Sequence, residues 1–250
     1  MAIGMAGTMA GASALAIQEE IQVYDDDIHP PAEYGLETHI NTTPRGRKTP
    51  DYPGDVPPYR GVRLTPEFSR GLSPTLEGGL YVLSTSDAQG TYYVSGTKVR
   101  LKWLPVHDKD SGGWYFGSNH ELSWIDPEFS ESRRGYELRV IGGYRARDWM
   151  IGANAIIGWS LSSGHRGSPD TTLAYKATYD VARGIALGAE YYNDIGTLAD
   201  RLPGELQART LYLIADMDRG DWSLNFGVGH GLTPATDNWT IKAIVGHSFR

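Results

Sequence analysis

Three stretches of the chain place apolar residues at every second position and aromatic rings at both ends of that apolar face. In the first the face reads Trp114, Phe116, Ser118, His120, Leu122, Trp124. In the second it reads Trp149, Ile151, Ala153, Ala155, Ile157, Trp159, and in the third Trp239, Ile241, Ala243, Val245, His247, Phe249. A period of two is the mark of a β-strand with one greasy side. The same alternation, broken by turn clusters, predicts strands near 34–42, 61–70, 75–84, 91–104, 113–124, 135–145, 148–160, 171–180, 184–193, 207–217, 221–232 and 238–249. No stretch of helical period is longer than two turns, so the expected fold class is all-β, with twelve antiparallel strands.

The links between these strands alternate in length. Arg70 to Pro74, Arg145 to Asp148, Val181 to Gly184 and Asp218 to Asp221 are tight turns, whereas 43–60, 85–90, 125–134, 161–170, 194–206 and 233–237 are longer and polar. Short turns at one end and long loops at the other are the pattern of outer-membrane barrels. The link 105–112 is longer than that rule expects.

Strand length separates a membrane barrel from a soluble sandwich. Ten residues, the spacing of the paired rings, cover roughly 26 Å along the membrane normal when tilted, close to the apolar band of about 25 Å between two aromatic girdles. Trp114, Trp124, Trp149, Trp159, Trp239 and Phe249 are therefore the expected anchors at the lipid interface. Closure of the sheet follows from the same setting, because hydrocarbon leaves no solvent for an unpaired strand edge.

The opposite parity carries charge. Lys98, Arg100, Lys102, Glu121, Glu137, Arg139, Lys176 and Glu190 are the expected lining of a solute path, accompanied by Glu37, Arg63, Glu67, Glu77, Arg145, Asp180, Asp216 and Lys242. A dry core could not hold so many ions, since each unpaired buried charge costs several kcal/mol. Lys98, Arg100 and Lys102 form a positive ladder that would attract anionic or phenolic solutes, or else pair with Glu121 and Glu137 and fill the lumen with ion pairs. Barrels of about eight strands are filled by side chains and those of 16–18 hold an aqueous channel, so twelve predicts a narrow or plugged pore.

Composition narrows the remaining choices. The 250 residues carry a net charge of −7, which argues against a nucleic-acid partner, and the absence of cysteine excludes disulfides and thiolate chemistry. The count of 31 Gly fits a curved sheet with crowded lumenal positions. Residues 1–16 end in Ala14-Leu15-Ala16 and read as a signal peptide. Residues 17–33, acidic at Asp25, Asp26 and Asp27, read as a periplasmic N-terminal segment or a plug, and 34–250 as the transmembrane barrel.

Candidate chemistry is sparse. No two histidines stand at a metal-binding His-x-His or His-x-x-x-His spacing, so neither a metal nor a cofactor is expected. Ser118 and His120 share the lipid-facing parity of one strand and could serve a lipid hydrolase, although the sequence shows no third orienting residue. An enzyme is not the expected reading.

The last strand, Trp239 to Phe249 followed by Arg250, resembles the carboxy-terminal β-signal of Gram-negative outer-membrane proteins. The stretches Glu20-Ile-Gln-Val-Tyr24, Gly35 to Thr43, Thr49 to Gly54 and Ala235 to Lys242 are similar to an outer-membrane protein family of proteobacteria, transporters akin to the phenol meta-pathway channel group. That resemblance implies a barrel and suggests transport. The expected function is passive uptake of small, anionic or aromatic solutes through a narrow charged lumen. The expected partners are outer-membrane lipid, the barrel-assembly machinery and small solutes. A non-conducting scaffold or surface-contact barrel is the alternative, and a lipid hydrolase stands behind it.

Overall fold

Backbone pairing, more than side-chain pattern, sets where each strand of this protein stops. The computed structural model describes residues 20–107, 111–164 and 167–249. The expected signal peptide, residues 17–19 and Arg250 lie outside them. Twelve strands form: β1 (Tyr34–Arg45), β2 (Val62–Ser73), β3 (Leu76–Ser86), β4 (Tyr92–Val106), β5 (Gly113–Ile125), β6 (Arg134–Arg145), β7 (Trp149–Ser160), β8 (Asp170–Ala182), β9 (Ile185–Thr197), β10 (Arg209–Arg219), β11 (Trp222–Gly231) and β12 (Trp239–Phe249). Each pairs antiparallel with its sequence neighbours, and β1 closes on β12 from Tyr34↔Phe249 to Arg45↔Trp239. The result is a closed all-β barrel without a free edge.

Several strands outrun the expected limits at the long-loop end. β1 continues to Arg45 and β9 to Thr197. Beyond the apolar band both faces of a strand are wet, so the hydrophobic alternation fades while the hydrogen-bond ladder continues. The long link after β4 shortens for the same reason, since β4 extends to Val106.

One irregularity reverses a parity. In β4 the lumen holds Ser95 and then Lys98, Arg100 and Lys102, because a bulge next to Gly96 inserts an extra residue against β3. Gly96 has φ +154, and a Cβ there would run into the carbonyl of Trp124. Tyr92 and Val94 above the bulge, and Val99, Leu101 and Trp103 below it, all remain on the outside.

The exterior is a continuous apolar band, with Trp114 75% and Leu213 71% exposed. Aromatic pairs ring the short-turn end: Trp114 on Tyr144, Trp149 on Tyr179, Tyr34 on Phe249 and Trp222 on His247. At the long-loop end Trp159 stacks on Tyr136, Trp239 lies against His230, and Trp124 of β5 stands exposed opposite Arg134 of β6. Exposed side chains of this size, in two belts around a closed sheet, define a surface that faces lipid.

Candidate solute pathway

The lumen is occupied by the chain's own N-terminal segment. From Tyr34, at the short-turn end of β1, residues 33 to 20 turn back into the barrel. Ile21 and Val23 pack with Ala174, Tyr192, Tyr212 and Ile214 on one wall. Tyr24 and Ile28 pack with Leu104, Tyr115, Ile141 and Met150 on the opposite wall. Both apolar clusters inside the barrel therefore depend on this segment, and burying each such side chain contributes roughly 1.5–3 kcal/mol. Room for the Tyr115 ring comes from Gly143 and Gly152, where a Cβ would collide with its hydroxyl end.

Polar groups of the segment are met by lumenal side chains. Lys242 Nζ donates to the Ile21 carbonyl at 2.9 Å, Arg139 to the Gln22 carbonyl at 2.9 Å and Lys102 to the Asp27 carbonyl at 2.5 Å. Asn154 holds the backbone of Tyr24 through two hydrogen bonds. Asp26 accepts two hydrogen bonds from the Arg145 guanidinium, at 2.6 and 2.7 Å, and Asp25 lies 3.5 Å from Lys176. At the short-turn mouth His29 Nδ1 sits 2.7 Å from Glu77 Oε2, and this hydrogen bond raises the His29 pKa above its ordinary value despite partial burial.

The charged side chains of the inward parity come in compensated sets. Lys98 lies 3.6 Å from Glu121, Arg100 pairs with both Glu67 and Glu77, and Arg139 pairs with Glu137 at 3.0 Å. Lys176 meets Asp216 at 2.9 Å, and Lys242 meets Glu190 at 2.5 Å. Asp180 stands apart from these pairs. It is exposed, on the rim of a cavity of about 180 Å³ that remains at the short-turn end between the segment and the surrounding wall, where Glu37, Glu67 and Glu77 stand on one side and Lys176, Glu190 and Asp216 on the other.

Three cations surround one phenol ring. Arg139, Lys102 and Arg100 lie 4.5, 4.9 and 5.6 Å from the ring centroid of Tyr24. The Tyr24 hydroxyl shares a hydrogen bond of 2.9 Å with the Tyr81 hydroxyl and reaches Glu121 at 3.5 Å. The sequence marks these cations by their parity, but nothing in it says that Tyr24 comes to sit among them.

The long-loop mouth is narrowed by loops that sequence reasoning did not place. Val56 N–H donates to the Glu128 carbonyl, joining the β1–β2 and β5–β6 loops. Phe129 turns inward, buried, with Tyr93 edge-on at 5.3 Å and the Arg63 guanidinium 5.5 Å from its ring centroid. On the outer wall, Ser118 Oγ lies 3.1 Å from His120 Nε2, and His120 Nδ1 lies 2.8 Å from the hydroxyl of Tyr136 on β6. The third partner absent from the sequence reading is thus Tyr136, brought alongside by strand register.

A closed twelve-stranded sheet with a greasy belted exterior and an ionic interior is a transmembrane β-barrel of the outer-membrane type. No protein-family model matches the chain, and no curated protein sequence matches it. Solved structures share the fold. An outer-membrane channel of Pseudomonas putida F1 superposes with a TM-score of 0.63 at 11% identity, covering 92% of this chain and 100% of that one. The KdgM porin superposes at 0.57 with 13% identity, over 86% of this chain and 99% of that one. The NanC porin superposes at 0.50 with 11% identity, over 87% and 99%. These neighbours are outer-membrane channels and porins, and what they share with this chain is the closed-barrel fold.

Proposed function

We propose that the protein is an outer-membrane channel for small solutes whose acidic N-terminal segment closes the lumen and must leave it, or shift within it, for solutes to pass. The observation that carries this reading is the seat of Tyr24. A phenol ring held by three cations, with its hydroxyl on Tyr81 and Glu121, is a site that an aromatic or anionic solute could take over.

Charge bookkeeping supports the anionic preference. Withdrawal of the segment removes Glu20, Asp25, Asp26 and Asp27 from the lumen; Arg145 and Lys102 lose their contacts with Asp26 and Asp27, while Arg139 and Lys176 lose Glu20 and Asp25 and keep only their wall partners Glu137 and Asp216. The open lumen is then more positive than the closed one, and Lys98, Arg100 and Lys102 stand along the path. Among the fold's neighbours, the KdgM porin is described in complex with disordered oligogalacturonate, an anionic chain, which is in keeping with this reading. The likeness to the phenol meta-pathway channel group agrees with an aromatic solute and rests on the sequence stretches alone. In the same reading, Trp114, Trp124, Trp149, Trp159, Trp239 and Phe249 anchor the barrel at the two lipid interfaces, and its last strand is the element the barrel-assembly machinery would engage.

We assign no catalysis to the barrel. Ser118 and His120 lie midway between Trp114 and Trp124, near the bilayer centre, far from the ester groups a lipid hydrolase would attack. Planar-bilayer recording tests the channel. The refolded chain should show small or rare current steps, and a variant lacking residues 17–28 should show larger, frequent, anion-preferring steps. Silence from both proteins would overturn the proposal and leave the non-conducting scaffold.

A further inference from the structure

On the wall facing the cavity, one histidine and two carboxylates converge without an evident task in closing the lumen. Glu37 and His39 stand two residues apart on β1, so both point inward, and Glu67 lies directly across from Glu37 on β2. His39 is fully buried, and neither of its ring nitrogens makes a hydrogen bond. Its Nε2 is 3.6 Å from Glu67 Oε2 and 3.9 Å from Glu37 Oε2.

We propose that Glu37, His39 and Glu67 bind one first-row divalent transition ion, with Zn²⁺ as the type case. An ion with bonds of about 2.0–2.2 Å holds its ligand atoms roughly 3–4 Å apart. The spacings from His39 fall in that range, and all three donor atoms lie within 4.8 Å of one another. An imidazole beside two carboxylates suits zinc and its neighbours better than calcium or magnesium, which take oxygen alone.

The surroundings supply the rest of a built site. Arg100 pairs with Glu67 Oε1, which leaves Oε2 turned toward His39. Such an outer partner fixes the orientation of a ligating carboxylate. Glu37 and Glu67 also line the cavity, so an ion can arrive from the short-turn mouth. A search for paired histidines passes over this arrangement, because its sequence trace is only Glu37-x-His39.

The inference does not depend on conductance. Untagged, chelator-stripped protein refolded in detergent is titrated with ZnCl₂ by calorimetry, and heat-modifiable gel mobility verifies that each variant is folded. One Zn²⁺ per chain is expected. His39→Gln and Glu37→Gln should each weaken binding by at least the roughly 10–100-fold that an outer-sphere partner is worth. No stoichiometric binding by the parent, or undiminished binding in both variants, would overturn the site and leave His39 as a buried ring beside two carboxylates. Removal of the Zn²⁺ heat by an equal concentration of Mg²⁺ would also overturn it, by revealing an acidic cluster without a role for the imidazole.

Discussion

The Asn154 carboxamide holds the backbone of Tyr24 from both sides: its Oδ1 accepts from Tyr24 N–H at 2.7 Å and its Nδ2 donates to the Tyr24 carbonyl at 2.9 Å. This is the pairing a β-strand would supply, made by one side chain on β7. It explains how a segment that bridges to the sheet at Pro31 and Gly71, well away from Tyr24, keeps its buried peptide groups satisfied. Asn154→Leu keeps the volume and removes both bonds. Leaving the two buried backbone groups unmatched costs about 1–3 kcal/mol each. Exchange of the Tyr24 amide, followed by mass spectrometry, should accelerate at least tenfold while the barrel amides stay protected. Unchanged exchange would show that the bonds do not hold the segment.

Asp26 and Arg145 form the geometrically best ion pair between the segment and the wall. Two hydrogen bonds join them, and Asp26 is almost completely enclosed. Asp26→Asn keeps the shape but weakens the charge-assisted bonds, at a cost of roughly 1–3 kcal/mol. If the segment gates the lumen, the open fraction in bilayer recordings should rise by about 5- to 150-fold for such a loss. The charge-reversed double variant Asp26→Arg with Arg145→Asp should restore part of the closure. Equal currents in parent and single variant would remove this pair from the gate.

The barrel was legible in the sequence because its two faces solve different problems. Lipid demands apolar residues outward along every strand, and ring pairs such as Trp114 and Trp124 mark the ends of that demand. The ionic parity of Arg100, Glu121 and Lys176 followed from the same alternation. What stayed hidden depends on partners distant along the chain. Tyr24 meets Asn154 across 130 residues, and Lys242 meets Ile21 across 221. A segment of isolated apolar and acidic residues reads equally well as a solvated tail. The contacts that decide otherwise are set by closure of β1 on β12. Tyr136 escaped notice beside His120 for a related reason, since strand register and side-chain reach, not spacing, bring them together.

His29 makes closure depend on pH. The hydrogen bond to Glu77 raises its pKa, burial opposes the rise, and the charges of Glu77, Asp27 and Glu37 add to it, while Ser69 and Ser248 are its uncharged neighbours. A raised pKa in the seated state means that protonation favours the seated segment. That contribution is complete below the ordinary histidine value of about 6.5 and is lost as pH rises through the higher seated value. Current steps should therefore be more frequent in mildly alkaline than in mildly acidic buffer. His29→Gln should flatten the profile over that range. A parent profile that rises toward acid instead would reverse the assigned sign.

Ser118, His120 and Tyr136 pose a test of what polar groups on the lipid face contribute. Their mutual hydrogen bonds satisfy three polar side chains where no water is available, and His120 stacks on Tyr136 at 6.2 Å. Tyr136→Phe alone strands His120 Nδ1 and should destabilise the folded barrel by about 1–2 kcal/mol in vesicles. The triple variant Ser118→Ala, His120→Phe, Tyr136→Phe removes every member of the set and keeps the ring stack. It should match or exceed the parent in urea titrations, because no orphan is left and more apolar surface faces lipid. Phospholipid hydrolysis by the parent, abolished by Ser118→Ala, would contradict this account and establish the trio as a catalytic group. Hydrolysis absent from the parent, together with a stable triple variant, is the outcome the mid-bilayer depth predicts.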